Sequence, residues 1–159
     1  MSIAAASPAD IAELTELLGR PPRARFEVVV RNEAGGPVVI RNAPLLQDGT
    51  PMPTRYWLVD RVLSEAVARV ESRGGVRAAE AEVDPGELRA AHDAYASDRD
   101  AAIPASHRGA RPSGGVGGTR IGVKCLHAHL ANLLAGNADP VGRWVQDQLD
   151  CDAADPAAS

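Results

Sequence analysis

The sequence predicts an α+β fold: a small antiparallel sheet, a hairpin plus a third strand, packed by four to five helices in a single domain. Three observations carry this expectation. The β-branched runs Phe26–Arg31 and Pro37–Arg41 are separated by Asn-Glu-Ala-Gly-Gly, a hairpin signal. Helix starts, each a Ser or Asp ahead of a proline or an apolar stripe, recur at Ser7, Asp60, Asp84 and Asp139. Helices and strands do not alternate regularly, which argues against a doubly wound parallel sheet. A length of 159 residues suits one domain, expected over residues 1–150 with a disordered tail at 151–159. Aromatic residues make up only 3%, so alanine, valine and leucine must fill the core.

The elements follow in order. Ser7 can cap a helix that Pro8 opens, with Asp10 at the positive end of its dipole, Ile11, Leu14, Leu17 and Leu18 as its apolar stripe, and Gly19 as its stop. In the hairpin Phe26, Val28 and Val30 are expected on one face. Residues 42–55 hold three prolines and an Asp-Gly turn, an irregular but stiffened segment that leads into a third strand, Tyr56–Val59. Asp60 caps a helix to Arg73 that Gly74-Gly75 ends, and residues 76–83 read equally as strand or loop. From Asp84-Pro85 a helix carries Leu88, Ala91, His92 and Tyr95 on one face and ends before Pro104. His92 there reads as a core histidine with its nitrogens satisfied. A glycine-rich loop fills 106–118, a helix is expected over 122–135, and Asp139-Pro140 starts the last helix, with Val141, Trp144, Val145 and Leu149 inward.

The formal net charge is −4, which gives no electrostatic footprint for nucleic acid. No segment has the apolar length of a membrane span. The N-terminal stretch lacks the basic start of a signal peptide, and two cysteines are too few for a disulfide framework. Reduced thiols in the cytoplasm are the expectation. Within 99–124 the balance turns basic: Arg99, Arg108, Arg111, Arg120 and Lys124 against Asp100 alone.

Chemistry-bearing residues concentrate in Lys124-Cys125-Leu126-His127-Ala128-His129. On a helix over 122–135, Val123, Leu126, Leu130, Leu133 and Leu134 face the core. Cys125, His129 and Asn132 then share one flank, while His127 and Lys124 turn to the other. Cys125 and His129 could jointly hold zinc or another divalent metal, completed by His92, His107 or an acid. Alternatively His129 lowers the pKa of Cys125 and makes it a nucleophile near Asn132. An extended backbone would instead turn Cys125, His127 and His129 to one side as three ligands for zinc. The plain alternative is a buried cysteine whose neighbouring histidines satisfy backbone groups.

Residues 115–124, Gly-Val-Gly-Gly-Thr-Arg-Ile-Gly-Val-Lys, resemble a phosphate-cradling loop, with the amides of Gly117 and Gly118 and the cations Arg120 and Lys124 to hold an anion. The Walker pattern fails: Gly117 and Gly122 have its spacing, but Val123-Lys124-Cys125 replaces the required Lys-Ser/Thr. Asp48, in the rigid proline segment, forms a turn or presents a carboxylate to the same cleft.

The segments 48–58 (DGTPMPTRYWL) and 122–131 (GVKCLHAHLA), followed by 139–142 (DPVG), resemble the signature segments of a bacterial family, domain-of-unknown-function family 501. The resemblance runs from about Leu17 to Leu149. It implies no established activity. Genes of the family stand beside those for a septum-formation initiator and an exopolyphosphatase, which implies a link to cell division or polyphosphate metabolism. Relatives carry cysteines in the first strand and after the third, where this chain has Phe26–Arg31 and Val59-Asp60. The resemblance thus leaves Cys125, His127 and His129 as the retained constellation. Two functions follow as expectations. One is a cytoplasmic interaction or regulatory protein with a protein partner. The other is an enzyme or binding protein for a phosphorylated small molecule, with the Cys/His site beneath the glycine loop.

Overall fold

A computed structural model of the chain describes residues 5–155 and 157. Residues 1–4 of the expected domain and residues 156, 158 and 159 of the expected tail lie outside the described residues. Helix α1 (Pro8–Leu18) has the predicted start: the Ser7 hydroxyl accepts from the Asp10 amide, the Asp10 carboxylate accepts from the Ser7 amide, and Gly19 closes it at φ 73°. Arg31 grips Asp10 with two bonds of 2.8 and 3.0 Å and holds that carboxyl well below the usual carboxylate range. This pair ties the first turn of α1 to the end of the first strand.

The sheet runs β1 (Phe26–Arg31), β2 (Pro37–Asn42), β3 (Tyr56–Leu58) in that order, all antiparallel. β2 is central and covered on both sides, which is why Val38, Val39 and Ile40 read as a continuous apolar run. One face packs Phe26, Val28 and Ile40 on Leu14 of α1. The other packs Val39, Tyr56 and Leu58 against the remaining helices, where the larger core lies. The expected shared face of Phe26, Val28 and Val30 holds only for the first two. Val28 opposes Ile40 but Val30 opposes Val39, so a bulge at Val29 turns Val30 to the larger core.

Six helices form among the described residues, not four to five. α2 (Arg61–Ser72) starts on Asp60, whose carboxylate accepts from the Leu63 amide at 2.8 Å. The ambiguous stretch is α3 (Gly75–Glu82). Gly74, at φ 88°, reverses the chain, and a Cβ on Gly75 would lie 2.5 Å from the Val70 carbonyl oxygen. The glycines thus join two helices packed end to end. α4 (Pro85–Ala101) begins on Asp84 and α6 (Pro140–Ala154) on Asp139, as predicted, with α5 (Leu126–Leu134) between them. α6 runs through residues 151–154, which were expected to be tail, and Arg73, the C-cap of α2, holds Asp152 there with bonds of 2.8 and 2.9 Å. No helix among the described residues is long and apolar enough to cross a membrane.

α4 organises the irregular segments. His92, Tyr95 and Arg99 lie on one face, all buried. The Tyr95 hydroxyl accepts from the amides of Arg55 (2.6 Å) and Tyr56 (3.2 Å), where the proline segment enters β3. Arg99, fully buried, donates to the carbonyls of Pro53, Ser113 and Gly114 and so binds the proline segment to the glycine-rich loop. Tyr95→Phe strands two buried amides and should cost about 1–3 kcal/mol in urea unfolding. A loss below about 0.5 kcal/mol would mean that these amides find other partners.

Candidate functional site

The glycine-rich loop reaches the site as packed backbone. A Cβ on Gly115 would lie 2.7 Å from His92, and one on Gly114 would lie 2.8 Å from the Gly118 backbone, so both positions need glycine for close approach. Val116–Gly118 form a short 3-10 turn. The loop's amides point into the fold: Gly115 donates to the Thr119 carbonyl, Val116 to Nδ1 of His92, and Gly118 to the Gly115 carbonyl. Those three donors are therefore not free to cradle a phosphate, contrary to the expectation for Gly118 and its neighbours. Gly117, at φ 69°, packs instead beside Cys125.

α5 begins at Leu126, four residues later than predicted, and this rearranges the cysteine motif. Gly122 is left-handed at φ 72°, and two carboxylates from other helices take the amides of Val123 and Leu126. Glu80 of α3 accepts from Val123 at 2.7 Å, and Glu71 of α2 accepts from Leu126 at 2.8 Å. Cys125 is thus the N-cap, extended at φ −147° and ψ 117°, and helical phase does not apply to it. The flank expected to join Cys125, His129 and Asn132 is divided.

Cys125 lies instead with His127 and Glu71. Their ligand atoms, sulfur, ring nitrogen and carboxylate oxygen, all fall within 4.8 Å of one another, and all three side chains are partly exposed. Nε2 of His127 is 3.0 Å from the Ser64 carbonyl oxygen. A carbonyl can only accept, so Nε2 carries a proton and Nδ1, 3.2 Å from Glu71 Oε1, faces the cluster. Burial pushes the Cys125 thiol up, but the His127 imidazole and the Ala128 amide at the helix start outweigh it, and the net direction is down. His127 is pushed up to about 9, first by Cys125, against burial, with help from the Ser64 carbonyl and Glu71. The two shifts, thiol down and imidazole up, run toward the charged forms of both groups beside a carboxylate.

His129 and Asn132 belong to a separate, dry network. His129 Nδ1 donates to Asp139, 2.9 Å from each oxygen, and Asp139 also accepts from Asn132 Nδ2 and the Gly142 amide. This buried carboxylate caps α6 and locks it to α5. His129 Nε2 has no hydrogen-bond partner among the described residues, and its ring meets that of His92 edge-on at 5.6 Å. His129 therefore does not share a ligand cluster with Cys125; His127 takes that place. Arg120 lines a different cleft beside His92, and Lys124 is exposed. Asp48 accepts from the Thr50 amide in its turn, and its neighbours Gln47 and Gly49 line a depression with Ser106 and His107. Glu71 had no signal in the sequence, because it stands 54 positions before Cys125 on a helix whose own pattern is complete without it.

The family described as "protein of unknown function (DUF501)" matches residues 28–147. The chain belongs to family 501. The match spans both signature segments, 48–58 and 122–131, and so includes Glu71, Cys125 and His127. No curated protein and no solved structure gives a match. Membership in family 501 carries no activity with it, and function has to be read from the side chains.

His92 of this family 501 chain is satisfied on both nitrogens, with Nε2 2.9 Å from the Gly122 carbonyl oxygen and Nδ1 accepting from Val116. Burial pushes its pKa down, the Gly122 carbonyl pulls up, His129 adds to the fall, and Asp139 and Asp93 oppose it. The unfolded chain, with a value of about 6.5, takes up this proton at higher pH than the folded one. The contribution of His92 is therefore complete above about pH 6.5 and is lost as pH falls below it. Urea unfolding between pH 7.5 and 5 should show a decline of at most about 1.4 kcal/mol per pH unit from this group, absent in His92→Gln. Equal slopes in both proteins would assign the decline elsewhere.

Proposed function

We propose that this protein is a divalent transition-metal protein whose centre is Glu71, Cys125 and His127, with zinc as the metal that the donor set suits. One observation carries the reading: a thiolate, an imidazole nitrogen and a carboxylate oxygen from α2 and the start of α5 converge within 4.8 Å of one another. Thiolate with imidazole favours zinc over magnesium or calcium. The Ser64 carbonyl holds the far side of the His127 ring, the usual way a ligating imidazole is oriented. Three protein ligands leave a coordination position for a donor from outside, as in centres that bind or polarise a second molecule.

The competing chemistry, a Cys–His–Glu catalytic triad, fits less well. A triad needs the nucleophile at one ring nitrogen and the carboxylate at the other. Here Glu71 sits at Nδ1 and the other nitrogen is held by a backbone carbonyl. A regulatory role in cell division or polyphosphate metabolism, implied by the family's gene neighbourhood, is the broader setting in which such a centre would work.

Cobalt(II) titration of the reduced protein should give a thiolate-to-cobalt charge-transfer band that saturates at a single ion per chain and is displaced by zinc. Cys125→Ser should abolish the band, and His127→Ala should weaken zinc binding by about 100-fold. Glu71→Gln should weaken it by about tenfold while its amide oxygen still caps Leu126. Cys151→Ser, on the exposed face of α6, should change nothing. Cobalt binding that is unchanged in Cys125→Ser would sink the proposal.

A further inference from the structure

We infer that the cleft between the start of α4 and the loop Thr119–Val123 is a docking surface for an acidic amphipathic segment of a partner protein. The inference does not depend on the metal reading. The cleft has a volume of about 450 Å³, with Pro85, Leu88 and the ring of His92 among its lining, and Arg89 and Arg120 on its flanks. Ile121, in the same loop, is 83% exposed.

The exposure of Ile121 is imposed by the backbone around it. The Thr119 hydroxyl donates to the Ile121 carbonyl at 2.8 Å, and the Thr119 carbonyl accepts from Gly115 at 2.8 Å. Beyond Ile121, His92 holds the Gly122 carbonyl and Glu80 holds the Val123 amide. Thr119 before it and Gly122 and Val123 after it are anchored, so the Ile121 side chain stands in water beside the cleft, as a preformed anchor for a partner does.

Charge decides what kind of partner fits. Neither Arg89 nor Arg120 has a carboxylate within 4.0 Å among the described residues. The one carboxylate in the lining, Glu80, is turned to the Val123 amide. Two guanidinium groups with no carboxylate partner among the described residues therefore outnumber the one carboxylate, Glu80, in the lining of this cleft, on a chain whose net charge is −4. A segment with aliphatic residues on one face and carboxylates on its borders would cover Ile121 and Pro85 and pair both arginines.

The test uses the full chain, isotope-labelled for NMR, and two synthetic amphipathic peptides with the same leucine spacing. One has glutamates on its polar face and the other lysines. The glutamate peptide should shift the amide signals of residues 88–92 and 119–123, saturate below about 1 mM, and weaken as salt is raised. Ile121→Ser should weaken it about tenfold. Arg89→Glu with Arg120→Glu should abolish it and create a response to the lysine peptide. Shifts elsewhere, equal response to both peptides, or no response at about 1 mM would overturn the inference. Binding of phosphatidylglycerol vesicles through these residues, with no response to the glutamate peptide, would assign the patch to lipid and overturn it too.

Discussion

A backbone N–H or C=O taken out of water must find a protein partner, and residues 43–55 and 102–125 have little helix or strand ladder to provide one. α4 meets this need with three buried side chains. His92 takes the Val116 amide and the Gly122 carbonyl, Tyr95 takes the amides of Arg55 and Tyr56, and Arg99 takes carbonyls of both irregular segments. They stand at 92, 95 and 99, one helical stripe, so a single amphipathic helix uses polar groups where a core helix normally carries aliphatic ones. The arrangement has a cost: one nitrogen of Arg99 is buried without a partner. Glycines at 114 and 115 are the other half of the device, because only a backbone without side chains can come close enough to be held this way.

The candidate centre depends on the same logic, with Glu71 and Glu80 in place of the α4 side chains. Glu80 takes the Val123 amide of the segment before α5, Glu71 takes the Leu126 amide that opens α5, and Glu71 also faces His127. Glu71 thus sets where α5 starts, and its start makes Cys125 an N-cap whose sulfur lies at the positive end of the helix. One side chain both positions the cysteine and completes the donor set. This is why the cluster is preorganised although Cys125 itself lies in an irregular stretch.

What the sequence shows of this structure is what local chemistry determines. The Ser7, Asp60, Asp84 and Asp139 caps are legible because a helix start depends on residues within one turn of it. The hairpin and the short third strand are legible from β-branched runs and turns. The start of α5 is not, because it is fixed by carboxylates 43 and 55 positions away. α3 is hidden for another reason: its two leading glycines normally end a helix, and only their packing on Val70 shows that they also begin one. For the site, the choice of Cys125 and His127 was open to sequence reasoning, but the partition of the two histidines was not. His129 is claimed by Asp139, a residue recognisable beforehand only as a helix cap.

The segment from Thr119 to His127 carries the proposed docking loop and two of the three proposed ligands, Cys125 and His127, and its anchors come from three different helices. His92 of α4 and Glu80 of α3 hold Gly122 and Val123, and Glu71 of α2 holds Leu126. Between the two surfaces lie only Lys124 and the backbone of Cys125. Because the anchors are rigid helices rather than the loop itself, neither surface needs to reshape the other.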